Sequence, residues 1–145
     1  MSATLRVQVA QVGPSTAKGV ARSHSVLVDR PEAKGGADQG PLGGEYLLIA
    51  LGGCFMSNLL GAIRARDAAV SDVSIAVDGT MEGTPERFTS FTMNVSASHH
   101  DPALVLKLID IASRACAVTN TLRQTAPVVI LFEGSRIDSA AQTVG

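Results

Sequence analysis

An α+β fold is predicted from three observations: segments of strand period open the chain, a single apolar run of helical length occupies its centre, and a hairpin, a capped helix and one more strand follow. In the first strand region, Thr4 to Val12, Leu5, Val7 and Val9 alternate with Arg6 and Gln8. His24 to Val28 is short and β-branched, and the turn Gly13-Pro14-Ser15 separates the two. Residues 29 to 44 collect Asp, Lys and seven glycines or prolines, which disfavours regular structure and predicts a loop leading into a helix. That helix is expected from near Gly44 to about Asp67. Val73 to Val77 and Phe88 to Val95 alternate around Glu82-Gly83-Thr84-Pro85 and predict a hairpin. Asp101 caps the second helix, Pro102 suits its first position, and Leu104, Val105, Leu108, Ile109 and Ala112 form its apolar stripe toward Cys116. Val128 to Phe132 reads as a last strand before a polar tail.

The order contains no internal repeat, low-complexity tract or domain boundary, so residues 1–145 are expected to form one domain. At 145 residues and 46% hydrophobic, the chain is long enough to bury a sizeable core. Lys and Arg number 12 against 13 Asp and Glu, without a basic run, so neither nucleic acid nor an anionic membrane is an expected partner. Tyr46 to Ile63 carries no charge over 18 positions and reaches the length of a membrane-spanning candidate. Gly52, Gly53, Ser57 and Asn58 dilute that run, and a helix apolar on all sides also suits the centre of a soluble domain. The start, Met-Ser-Ala-Thr-Leu-Arg-Val, lacks a signal-peptide pattern, so a cytoplasmic setting with reduced thiols is expected.

The two cysteines carry the chemistry. Cys54 closes Glu45-Tyr-Leu-Leu-Ile-Ala-Leu-Gly-Gly-Cys54, and Cys116 opens Cys116-Ala-Val-Thr-Asn-Thr-Leu122. Their separation excludes a CxxC redox loop, and two thiols are too few for a zinc site made of four cysteines. If the fold brings them within about 6 Å, Cα to Cα, the pair can cycle between dithiol and disulfide. His99-His100-Asp101 hints at a metal site, but adjacent strand histidines point to opposite faces and Asp101 is better spent as a cap; no metal is expected. His24 reads as a solvent-facing strand residue, and Gly52-Gly53 as a place of close helix packing.

From Asp38 through Gln-Gly-Pro41-Leu-Gly-Gly-Glu45 to Leu-Gly-Gly-Cys54, with the second motif at Cys116, the chain resembles the OsmC/Ohr family of osmotically induced and organic hydroperoxide resistance proteins, over residues 4 to 133. The resemblance implies antiparallel sheets packed around a long buried central helix in an intertwined homodimer. It also implies a thiol-dependent peroxidase, in which Cys54 attacks an organic hydroperoxide and Cys116 captures the sulfenic acid as a disulfide. No cofactor is implied beyond an external dithiol reductant.

A free thiol near pKa ~8.5 is only slightly ionised at neutral pH, so Cys54 needs a nearby cation or hydrogen-bond donor. Its place well inside the helix is too far from the N-terminus for the macrodipole. In peroxidase members the resemblance implies an arginine after the first strand, held by a glutamate near the start of the central helix. The corresponding turn here offers Lys18, with Arg22 and Arg30 the next arginines, and Glu45 stands one position later than in the hydroperoxide reductases. One residue turns a helix by about 100°, so this carboxylate is expected on another face; it also complements the helix N-terminus. The catalytic set read from sequence is therefore Cys54, Cys116, Arg22 and Glu45. A second reading stays open, a non-catalytic module that holds a hydrophobic small molecule beside passive thiols.

Overall fold

The computed structural model describes residues 1–137 in two compact units, one of Met1–Leu47 and one beginning at Leu48. The polar tail expected after Phe132 thus lies partly outside the described residues.

The first unit is a three-stranded antiparallel sheet of β1 (Gln8–Gln11), β2 (Ala17–Ala21) and β3 (His24–Val28), in that order, followed by a short 3-10 turn at Glu32–Lys34. β3 has the expected bounds. β2 was not expected, because Ala-Lys-Gly-Val-Ala holds one β-branched residue and a glycine, too weak an alternation to read. It pairs Gln8 with Val20 and Gln11 with Ala17 on one side, and Ala17 with Val28 and Ala21 with His24 on the other. The β1 ladder ends at Gln8, so Thr4 to Val7 lies outside the strand.

The helix α1 (Gly43–Ala65) carries the chain into the second unit. By length and composition it could cross a membrane. Its buried residues, Leu51, Gly52, Phe55, Leu59, Ala62 and Ile63, recur at helical spacing along one face, as in an amphipathic core helix. Burial is one-sided, with Ile49 and Leu60 exposed, rather than all round. A Cβ on Gly52 would come within 2.8 Å of Val77, and one on Gly79 within 2.8 Å of Leu48, so these glycines set how closely α1 approaches the strand beneath it.

The second sheet runs β4 (Ser71–Glu82), β5 (Arg87–Ser98), β6 (Val128–Phe132) and β7 (Ser135–Arg136). The β4–β5 hairpin is longer than the alternation predicts. β5 pairs with β6 in parallel, which departs from the wholly antiparallel sheets expected. The parallel pair follows from the crossover through α2 (Pro102–Ala115) and α3 (Ala117–Leu122), since parallel neighbours need a long connection. Phe91, Met93 and Val95 of β5 stand in register with Val128, Ile130 and Phe132 of β6, and all six are buried. Asp101 caps α2 through the N–H groups of Ala103 and Leu104, with Pro102 at the first helical position, as read from sequence. Val105, Leu108, Ile109 and Ala112 of α2 complete the core with the α1 face.

Candidate active site

Cys54 and Cys116 are both free thiols, and they are near enough to interact electrostatically. Cys54 lies at the edge of the buried face of α1 and is half-buried. The Asn58 amide, one turn on, donates to the Cys54 carbonyl at 2.9 Å and reaches the Cys54 Sγ at 4.0 Å. Cys116 is fully buried. It is the hinge between two helices, ending α2 through its N–H to the Ala112 carbonyl and opening α3 with its sulfur, which accepts from the Thr119 N–H at 3.5 Å. Burial pushes the Cys116 thiol above its ordinary pKa; Thr119 partly offsets this, and the neighbouring Cys54 sulfur adds to it.

The junction around Cys116 holds a cation that the sequence reading did not select. Arg123 is 7% exposed. Its Nη2 donates to the Ser113 hydroxyl on α2 at 2.8 Å and its Nη1 lies 3.4 Å from the Asn120 side-chain Oδ1 on α3. The guanidinium therefore bridges the helices on either side of Cys116. Its Nε is buried without a hydrogen-bond partner, as is the Thr119 hydroxyl, which lies beside the sulfur but falls short of hydrogen-bond geometry. Among the described residues no carboxylate forms a salt bridge with Arg123. Burial lowers the Arg123 pKa and attraction to Cys116 raises it; that attraction registers on the guanidinium, while burial governs the thiol. One signal was legible: Arg123 follows Cys116 by seven residues, about two helical turns, which returns a side chain to the same face.

The remaining expected residues fall in the first unit. Arg22 is exposed at the β2–β3 turn, with a φ of 56° that the tight hairpin imposes. Lys18 and Arg30 are exposed as well. Glu45 folds back on the start of α1, where its Oε1 accepts from the Leu42 N–H at 2.9 Å, a capping contact for a helix that begins without a capping side chain of its own. Tyr46 donates its hydroxyl to the Leu27 carbonyl at 2.7 Å and ties α1 to β3.

The unit is organised around Asp29, 3% exposed and not singled out from sequence. Its carboxylate accepts from the Thr16 hydroxyl at 2.8 Å, the Arg30 N–H at 2.7 Å and the Gln39 N–H at 3.1 Å. Burial alone would raise its pKa; these hydrogen bonds outweigh it and hold the carboxyl well below the usual range.

In the second unit, Leu48, Ile49, Gly52, Gly53, Met56, Ile75 and Val77 line an open apolar cleft of about 430 Å³; Cys54 is not one of its lining residues, since helical spacing turns position 54 away from the face that carries 49, 52, 53 and 56. His99 pairs with Glu133 at 2.9 Å and its ring lies tilted against Phe132, so this histidine is spent on packing the end of the sheet. Among the described residues no three histidines, cysteines or acids group in a way that could hold a metal ion.

The family model for OsmC-like proteins matches residues 35–131. No curated protein matches the chain in sequence. Solved structures resemble it closely in fold. An OsmC-like protein from Mycoplasma pneumoniae superposes with a TM-score of 0.77 at 16% identity, covering 92% of this chain and 96% of that one. The organic hydroperoxide resistance protein OsmC of Legionella pneumophila gives 0.70 at 15% identity, over 90% and 96%. An organic hydroperoxide resistance protein from Elizabethkingia anophelis gives 0.71 at 15% identity, over 91% and 96%. At these identities the likeness is one of fold.

Proposed function

The chain belongs to the OsmC-like family, and we propose that it is a thiol-dependent peroxidase that reduces organic hydroperoxides through Cys54 and Cys116 in defence against oxidative stress. The observation that carries this reading is the pair itself: two free neighbouring thiols, one half-buried and one fully buried. The more accessible sulfur suits first attack and the hidden one suits resolution. The Cys54 thiolate attacks the outer peroxide oxygen, the O–O bond breaks, and the alkoxide leaves as the alcohol after taking a proton. Cys116 then attacks the resulting sulfenic acid, a disulfide forms, and hydroxide departs as water. A dithiol restores both thiols and leaves as its own disulfide. No bound cofactor takes part.

The proposed preference is for alkyl or acyl hydroperoxides over hydrogen peroxide, in keeping with the apolar sequence around Cys54, Ala-Leu-Gly-Gly-Cys-Phe-Met. Arg22 and Glu45 are the proposed activating pair, with Lys18 and Arg30 as the other cations of that unit. The protein acts in the cytoplasm as a homodimer. Exposed Val7, Val9, Val20 and Val26 of the first sheet region, and Ile49 and Leu60 of α1, are apolar surface that a second copy would cover. Light scattering should give twice 14.9 kDa; a stable monomer would reject the dimer.

Activity is tested by consumption of cumene hydroperoxide with a dithiol, which should be catalytic and faster than that of hydrogen peroxide. Absence of turnover with several dithiols, together with tight binding of apolar ligands, would favour a non-catalytic module that holds a hydrophobic small molecule.

A further inference from the structure

The Cys54–Cys116 chemistry poses a problem at Cys116. An external dithiol reaches the half-buried Cys54 sulfur and not the fully buried Cys116, so reduction of the disulfide must expel Cys116 as the leaving thiolate. Its surroundings oppose that charge in two ways. Cys116 is 0% exposed, and it sits at the C-terminal end of the fourteen-residue α2, where the helix concentrates partial negative charge. A leaving thiolate there needs a cation or donors that face it.

We propose that Arg123 and Thr119 form a preorganised anion seat for the Cys116 thiolate, which speeds both its attack on oxidised Cys54 and its departure when the disulfide is reduced. Three buried side-chain nitrogen or oxygen atoms lack a partner among the described residues, and two of them, Arg123 Nε and Thr119 Oγ1, belong to this junction. Buried donors left unpaired are costly, and a thiolate at Cys116, which Thr119 contacts and which interacts electrostatically with Arg123, supplies an acceptor. The guanidinium is already fixed, by Ser113 on the α2 side and Asn120 on the α3 side, so it needs no rearrangement when the charge appears. Thr119 adds its N–H, which contacts the sulfur at 3.5 Å.

During reduction the dithiol thiolate bonds to Cys54 Sγ, the Cys54–Cys116 bond breaks, and its electron pair stays on Cys116 beside Arg123. The second thiol of the dithiol, once deprotonated, attacks the mixed disulfide and releases Cys54 as thiolate with the cyclic disulfide of the reductant.

The proposal deepens the peroxidase reading, and its test is separable from it. The disulfide is formed in the whole protein with diamide, without peroxide, and its reduction by dithiothreitol is followed by alkylation and mass spectrometry across pH. Arg123→Gln should slow reduction about tenfold, with Arg123→Lys intermediate, because a poorer leaving thiolate departs more slowly. A folded Arg123→Gln reduced at the wild-type rate and with the wild-type pH profile would overturn the seat. Should that variant fail to fold, Thr119→Val, close in volume, should slow reduction about threefold by losing one donor. A wild-type rate there would overturn the proposal equally. A disulfide that forms with diamide but not with hydroperoxide would refute the peroxidase reading and leave the seat to be decided by these rates; no disulfide with either oxidant would refute both.

Discussion

Asp29 and Arg123 are both buried charged groups, and their surroundings differ in one respect. The Asp29 carboxylate is met by a hydroxyl and backbone N–H groups from Thr16, Arg30 and Gln39, and those contacts tie the β1–β2 turn to the loop after β3. The Arg123 guanidinium has neutral partners on two nitrogens, none on Nε, and no salt-bridged carboxylate among the described residues. A buried charge whose bonds are complete acts on the fold. One left incomplete beside a buried thiol is positioned for a charge that exists only during turnover.

The contrast is broken most severely at the thiols. Cys54→Ser should abolish hydroperoxide consumption, whereas Cys116→Ser should still be oxidised once and then accumulate sulfenic and sulfinic acid, visible by mass spectrometry. Unchanged consumption in Cys54→Ser would remove the mechanism.

At Asp29 the prediction concerns stability. Its folded pKa is depressed, so the stabilisation is present above the ordinary carboxylate pKa of ~3.9 and is lost as pH falls below it. Asp29→Ala should lower the melting temperature near neutral pH and flatten its fall in acid. A variant that melts like the wild type at pH 7 would show that the carboxylate holds nothing together.

A smaller effect is expected from the raised Cys116 pKa. The folded state favours the protonated thiol, so this contribution to stability is complete below the ordinary thiol pKa of ~8.5 and fades as pH rises through the higher folded value. Disulfide formation from oxidised Cys54 needs the thiolate and should accelerate over that same alkaline range. A rate independent of pH there would contradict the assignment of Cys116 as the attacking thiol.

The parts of the molecule read correctly from sequence are those whose signals are local. The Asp101-Pro102 start of α2, the short β-branched segment of β3 and the apolar run of β6 each announce themselves within a few residues. β2 escaped because its inward positions are small, and α3 because it is a six-residue helix separated from α2 only by Cys116. The thiols were legible from their motifs. Asp29 was not, since most of its donors are backbone amides supplied by loop geometry rather than by side-chain type. Arg123 has only a weak signal, its two-turn spacing from Cys116, because arginine is ordinarily exposed and nothing local marks this one as buried.

The most direct test of the thiol account is a single-turnover experiment on the reduced wild-type protein with one equivalent of cumene hydroperoxide, analysed by intact mass and peptide mapping. The account predicts the loss of two hydrogens and a peptide pair joined through Cys54 and Cys116. Retention of both free thiols, or a stable oxygen adduct on Cys54 with Cys116 still reduced, would contradict it.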